Sequence, residues 1–209
     1  MLNITSPPTI VKKMFPDIIW ENVQDEIVLT FDDGPHPIAT AKVLNVLARR
    51  NLKAIFFLIG ENIVKYPKVV ESISVQGSFI ANHSYRHSKD FFLKGKNQIV
   101  DDIVACQDLI TLYPNYLNFF RPPYGRLKRG MQKVVKDLGL KTMMWTKLTE
   151  DWTGDIGKVK KNIMDIEKSN SIILFHDNDK TVAIIERILV DSIKILEDKG
   201  FKFARTFDF

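Results

Sequence analysis

A few side chains in this sequence are of the right types, in the right order, to carry out a metal-assisted hydrolysis. Asp32 and Asp33 are adjacent carboxylates in Thr30-Phe31-Asp32-Asp33-Gly34-Pro35, and two of the chain's four histidines stand four apart in His83-Ser84-Tyr85-Arg86-His87. On a helical turn that spacing puts both imidazoles on one face, close enough to hold one ion. Two imidazoles and one carboxylate leave a coordination position open for water, as a catalytic centre requires and a structural one does not. Adjacent acids make chemical sense if they divide the work. One holds the metal, and the other stays off it and takes a proton from the attacking water. Their positions alone do not say which does which. Arg121 precedes Pro122-Pro123, which stiffens the backbone after it, so it could orient the free acid. His176 could protonate a leaving amine, with Asp151 holding its tautomer. Leu174 shares a strand face with His176 by the two-residue period. Trp152 offers a flat apolar wall to a small group or a sugar face.

These side chains can meet only if the elements before them run side by side. Apolar runs predict strands at 27–31, 54–59, 78–81, 118–120, 141–145, 171–175 and 201–203. Helical periodicity predicts helices at 40–50, 61–76, 97–113, 131–138, 158–168 and 182–199. About seven strands alternating with about six helices imply parallel pairing. The count fits a small, distorted (β/α) barrel in a single domain. A doubly wound open sheet is the alternative, but no Gly-rich phosphate loop follows any strand. Asp32 and Asp33 follow the first strand, and His83 and His87 the third. Arg121 and Tyr124 follow the fourth, Asp151 and Trp152 the fifth, and His176 the sixth. Parallel strands open their C-terminal ends on one face, so these groups are expected at one mouth. Residues 1–25, with Pro7, Pro8 and Pro16, are expected to form an extended arm packed on a catalytic domain at 26–209.

Composition narrows the function classes. The chain has 209 residues, 45% hydrophobic and 26% charged, an ordinary balance for one globular domain. Its single cysteine, Cys106, excludes an intramolecular disulfide and sits on the apolar face of a helix. Net charge is +5, with small basic clusters at 12–13, 126–129 and 158–161. No basic run is interleaved with aromatics, which argues against nucleic acid. The clusters are solvated faces that could attract an anionic polymer. No apolar run approaches the ~20 residues of a membrane span. The first residues lack a basic segment followed by an apolar one, so a cytoplasmic location is expected, or a secreted or periplasmic one if a leader was removed. Nothing in the pattern speaks to oligomeric state.

Five stretches occur in order: Thr30 to Pro35, His83 to His87, Arg121-Pro122-Pro123-Tyr124-Gly125, Asp151-Trp152, and Leu174-Phe175-His176. This set resembles the polysaccharide deacetylases, the NodB-homology enzymes of carbohydrate esterase family 4, over residues 27–205. The resemblance implies a distorted (β/α) barrel. It implies Asp32 as general base, and Asp33, His83 and His87 as ligands of one divalent ion, zinc with cobalt or nickel accepted. It implies that Arg121 positions Asp32, that the Tyr124 N–H helps bind the oxyanion, and that Trp152 and Leu174 enclose the acetate methyl. His176 would be the general acid, oriented by Asp151. The implied reaction is hydrolysis of an N-acetyl or O-acetyl group on a sugar polymer. Gly77-Ser78 stands where many members have Gly-His, with no catalytic role lost. A smaller amide or ester substrate stays open. So do two other classes, a non-haem iron oxygenase, which also uses two His and one carboxylate, and a non-catalytic sugar-binding module. The oxygenase leaves the second acid, Arg121 and His176 without work.

Overall fold

The computed structural model describes residues 5–128 and 130–207. Residues 1–4 of the expected arm, Arg129 of the basic cluster and residues 208–209 lie outside that description. Seven parallel strands form one sheet: β1 (Val28–Asp32), β2 (Ile55–Leu58), β3 (Phe79–Asn82), β4 (Tyr116–Phe120), β5 (Lys141–Thr142), β6 (Lys147–Leu148) and β7 (Ile172–His176). Their spatial order is β5-β4-β3-β2-β1-β7-β6.

Central strands of this kind are covered on both faces, so they read as unbroken apolar runs. β1 and β2 are buried throughout. Period two then sorts their side chains. Leu29 and Phe31 pack outward with Phe56 and Leu58 against the helices. Val28 packs inward with Ile55, Phe57 and Met143. The outer layer includes α2 (Ala39–Arg50), α5 (Lys96–Ile110), α7 (Ile156–Met164) and α8 (Ile185–Asp198).

The expected strand at 141–145 is corrected. Only Lys141–Thr142 of it is a strand, β5, and a further short strand beyond it, β6, lies on the opposite edge of the sheet. A flat seven-stranded sheet would separate its edges by about 29 Å. The five peptide steps from Thr142 to Lys147 span at most about 18 Å. The sheet must therefore curl into a distorted barrel whose opening residues 143–146 cross. The arm braces that crossing: Ile19 N–H donates to Thr142 O (2.9 Å) and Met144 N–H to Ile19 O (2.8 Å). Ile18 and Trp20 are buried against Met144.

Four further expectations change. The arm is not wholly extended, because α1 (Thr9–Met14) starts directly after Pro8. The helix at 61–76 is two, α3 (Gly60–Lys65) and α4 (Pro67–Val75). Pro67 drives the break by pushing Tyr66 out of the helical region, to φ −130° and ψ 54°. The 201–203 strand reduces to one bridge between Phe203 and Ile27. Finally, α7 begins at Ile156 rather than 158, because the Asp155 carboxylate caps it by accepting from Lys158 N–H.

Register does the positioning. Asp32 at the end of β1 lies beside His176 at the end of β7 and Phe57 of β2. Asn82, one residue before His83, lies beside Leu58 and Phe120, and Phe120 precedes Arg121. The four central strands and β7 thus end at one level.

Candidate active site

The two acids leave β1 in different directions. Asp32 continues the inward face of Val28 and Thr30 and is 3% exposed. Asp33 adopts a left-handed backbone, φ 76°, before a cis Gly34–Pro35 bond. That turn swings the Asp33 carboxylate away from Asp32 and over β3. Asn62 holds it from behind by donating to Asp33 O (2.8 Å). A side chain at Gly34 would collide with Asp177, whose Oδ2 lies 2.5 Å from the Cβ position. Glycine is needed there for close approach.

The expectation that His83 and His87 share a helical turn is corrected. Residues 83–87 form an irregular loop, with Ser84 at φ 66° and His87 at φ 49°. Side chains replace the helical hydrogen bonds. Ser84 N–H donates to Asn82 Oδ1 (2.8 Å), Tyr85 N–H to Asp102 Oδ2 (3.2 Å), and His87 N–H to Ser84 Oγ (3.1 Å). The loop nonetheless converges both imidazoles on Asp33. His83 Nε2 is 3.5 Å and His87 Nε2 3.3 Å from Asp33 Oδ1. Tetrahedral ligands about 2.0–2.1 Å from one ion stand about 3.4 Å apart. The observed spacing exceeds a good hydrogen bond and matches an ion between the groups. These three residues are the one His/Cys/Asp/Glu cluster of ion-binding spacing among the described residues. The His83 Nδ1–H donates to Arg121 O (2.7 Å), which leaves Nε2 as the free ligand atom.

Arg121 is fully buried, its guanidinium stacked 3.9 Å from the Phe57 ring centroid. Nη1 donates to Asp32 Oδ1 (2.7 Å) and Thr30 Oγ1 (2.9 Å). Nε and Nη2 donate to Met143 O (3.1 Å) and Met144 O (2.9 Å). One side chain therefore fixes Asp32 and also serves the carbonyls of the crossing segment that closes the barrel.

Asp151 follows β6 after a left-handed Glu150 (φ 62°). Its Oδ1 lies 2.7 Å from His176 Nδ1 and its Oδ2 accepts from His176 N–H at 2.7 Å, so Nε2 faces the cavity. Trp152 packs edge-on to the His176 ring at 5.2 Å. Tyr124, with φ 58°, packs against His87 with the rings tilted and their centroids 4.6 Å apart. Asp32, Asp33, His83, His87, Tyr124, Trp152, Leu174 and His176 all line one cavity of about 350 Å³. Arg121 and Asp151 stand behind it as supports. Cys106 is buried, and burial pushes its thiol up to about 12. The fourth histidine, His36, lies off the cavity. Its Nδ1 accepts from Ala39 N–H at the start of α2 and its Nε2 pairs with Asp179.

The electrostatics suit ion binding. Burial opposes ionisation of Asp33, but the His83 contact and the His176, His83 and His87 charges outweigh it and hold the carboxyl well below the usual range. Burial, then His83, lowers His87 to about 4, so the imidazole is neutral and free to ligate at pH 7. Burial opposes protonation of His176, yet Asp151, with Asp33 and Asp32, raises it to about 9. A protonated His176 is a ready proton donor.

The cavity also holds residues the sequence patterns missed: Gly125, Trp145, Leu148, Asn178 and Lys180. Asn178 Nδ2 donates to Asp33 Oδ2 (2.7 Å), leaving Oδ1 toward the histidines. Leu148 arrives through β6, a short strand beyond the expected 141–145 element. The one available signal for Asn178 was its place two residues after His176.

Comparison with known proteins agrees with this geometry. The family model described as polysaccharide deacetylase matches residues 21–143. A peptidoglycan-N-acetylglucosamine deacetylase of Bacillus cereus is 33% identical over 186 residues, 86% of this chain and 66% of that protein. The peptidoglycan-N-acetylglucosamine deacetylase PgdA of Listeria monocytogenes is 32% identical over 193 residues, 90% of this chain and 40% of that protein. The chain thus spans less than two thirds of the length of these relatives. The crystal structure of a peptidoglycan N-acetylglucosamine deacetylase bound to 4-naphthalen-1-yl-N-oxidanyl-benzamide superposes with a TM-score of 0.81 at 28% identity, covering 95% of this chain and 94% of that one. With the family model matching more than half of its length, the chain belongs to the polysaccharide deacetylase family.

Proposed function

We propose that this chain is a metal-dependent hydrolase that removes acetyl groups, N-linked ones first of all, from a sugar polymer or oligosaccharide and releases acetate. The ion is zinc, with cobalt or nickel able to replace it, held by Asp33, His83 and His87. The observation that carries the reading is the ion-spaced triad with a base held beside it: Asp32 Oδ2 is 3.6 Å from His83 Nε2 while Arg121 grips Oδ1.

An ion bound there supplies Lewis-acid polarisation of the acetyl carbonyl and a more acidic attacking water. Asp32 takes the proton of that water, with Arg121 fixing the carboxylate's position. The Tyr124 backbone N–H donates to the oxyanion that develops on the carbonyl oxygen. Trp152 and Leu174, with Leu148, enclose the methyl group and exclude water from it. His176, held through Nδ1 by Asp151, gives its proton to the leaving nitrogen as the C–N bond breaks. The products are acetate and a free amine on the sugar. The Asp32–Arg121 and Asp151–His176 pairs both have work in this reaction, and neither has any in an iron oxygenase or a binding module.

Acetate release from acetylated glycans, with zinc, cobalt and nickel each supplied, tests the proposal. Asp33→Ala or His83→Ala should abolish both ion binding and release. Asp32→Asn should abolish release with the ion retained. Turnover persisting in Asp32→Asn, or oxygen uptake with Fe(II) in place of acetate release, overturns it.

A further inference from the structure

A second concavity, of about 210 Å³, is lined by Lys94, Lys96, Lys128, Ile99, Met131 and Val134. It is about seven times the ~30 Å³ share of one water molecule, room enough for an acidic substituent. Its floor is apolar and its walls carry three ammonium groups.

The charge around it is concentrated. Residues 86–96 hold Arg86, Lys89, Lys94 and Lys96 against one acid, Asp90, and residues 126–128 add Arg126 and Lys128. Six cations against one carboxylate leave an excess of five, equal to the net charge of the whole chain. The remaining residues carry cations and carboxylates in equal number. Two of these cations are held in place by neutral groups. Arg126 donates to Lys89 O (3.1 Å) and Lys128 to Phe92 O (3.0 Å), so backbone carbonyls tie the two segments together. Lys94 pairs with Asp90 at 4.0 Å, and with Arg86 it lines a neighbouring cleft that also holds Asp101 and Asp102.

The rim approaches the catalytic cavity at Tyr124. Residues 86–96 begin next to His83 and contain His87. The Arg126 guanidinium lies 5.7 Å from the ring of Tyr124, which lines the cavity. Lys180 stands on the cavity's own lining. A strand seated with one acetylated sugar at the metal site would run past these cations.

We propose that this groove binds an anionic substituent, a carboxylate or a phosphate ester, on a neighbouring unit of the same strand, and that the substrate is an acidic rather than a neutral glycan. The inference rests on the deacetylase reading for the identity of the strand, but its test does not depend on turnover. Binding is measured by calorimetry on zinc-loaded Asp32→Asn protein with a chitooligosaccharide, a hyaluronan oligosaccharide and an O6-phosphorylated chitooligosaccharide. At low salt at least one acidic strand is expected to bind about tenfold more tightly than the neutral one. Lys96→Glu/Lys128→Glu should erase that difference and leave the neutral strand's affinity unchanged. Salt near 0.5 M should erase it too. The acidic strand that gains identifies the group recognised. Equal affinity for all three strands, or charge reversal that weakens neutral and acidic strands alike, overturns the proposal. Acetate release by the wild-type chain on the same strands reports separately on the catalytic reading.

Discussion

Asp32 and Arg121 form a pair whose removal can be reckoned from the structure. Arg121 is fully buried, Asp32 is 3% exposed, and the contact is 2.7 Å. Removing one partner of a buried pair costs about 3–5 kcal/mol, mostly because the other charge is left stranded. Asp32→Asn should cost about 3 kcal/mol, because the amide oxygen still accepts from Nη1. Arg121→Met should cost more. It strands the Asp32 carboxylate and removes the donor from Met143 O and Met144 O, each worth about 1 kcal/mol or more. The sum is about 5–7 kcal/mol, comparable to the ~5–15 kcal/mol stability of a whole domain. The double variant leaves neither charge alone, so its cost should fall short of the sum by about 2–3 kcal/mol. Urea unfolding of the metal-free proteins measures all three, with near-UV circular dichroism to check native packing. Additivity within about 0.5 kcal/mol would refute the reasoning, since it would mean the two charges do not sense each other.

Three other outcomes follow from the site. His176 is raised from 6.5 to about 9, so its bound proton stabilises the fold below pH 6.5, and that stability is lost as pH climbs through 9; the metal-free protein should lose roughly 3 kcal/mol across that interval, and Asp151→Asn should flatten the profile and lower the His176 titration seen by NMR. Asn178→Ala should weaken zinc binding about 10–100-fold in a chelator competition, by freeing Asp33 Oδ2 to rotate; unchanged affinity would show that the bond does not orient the ligand. Gly125→Ala would drive a Cβ into the Trp145 ring at φ +60°, and should cost about 2–4 kcal/mol in urea with a change in tryptophan emission.

Most of the candidate site was legible because its residues keep to strand ends. Parallel strands that finish at one level need no further information to bring Asp32, His83, Arg121 and His176 together, and the buried runs at 27–31 and 171–175 reveal those ends directly. What the sequence determined by itself was therefore the alternation of strands and helices, the chemistry at the strand ends, and an apolar core without disulfides. That Asp33 reaches both histidines while Asp32 reaches only His83 was decided by tertiary structure, through the left-handed turn at Asp33 that neighbouring identity cannot reveal. The 83–87 loop replaces the expected helical turn because Asn82, Ser84 and Asp102 offer its N–H groups nearer partners, and Asp102 is nineteen residues from His83. The early end of the expected 141–145 strand, at Thr142, arises from barrel closure, a constraint on strands far apart in the chain. Leu148 and Asn178 enter the cavity for the same reason: their neighbours there come from distant strands, and local pattern carries no record of them.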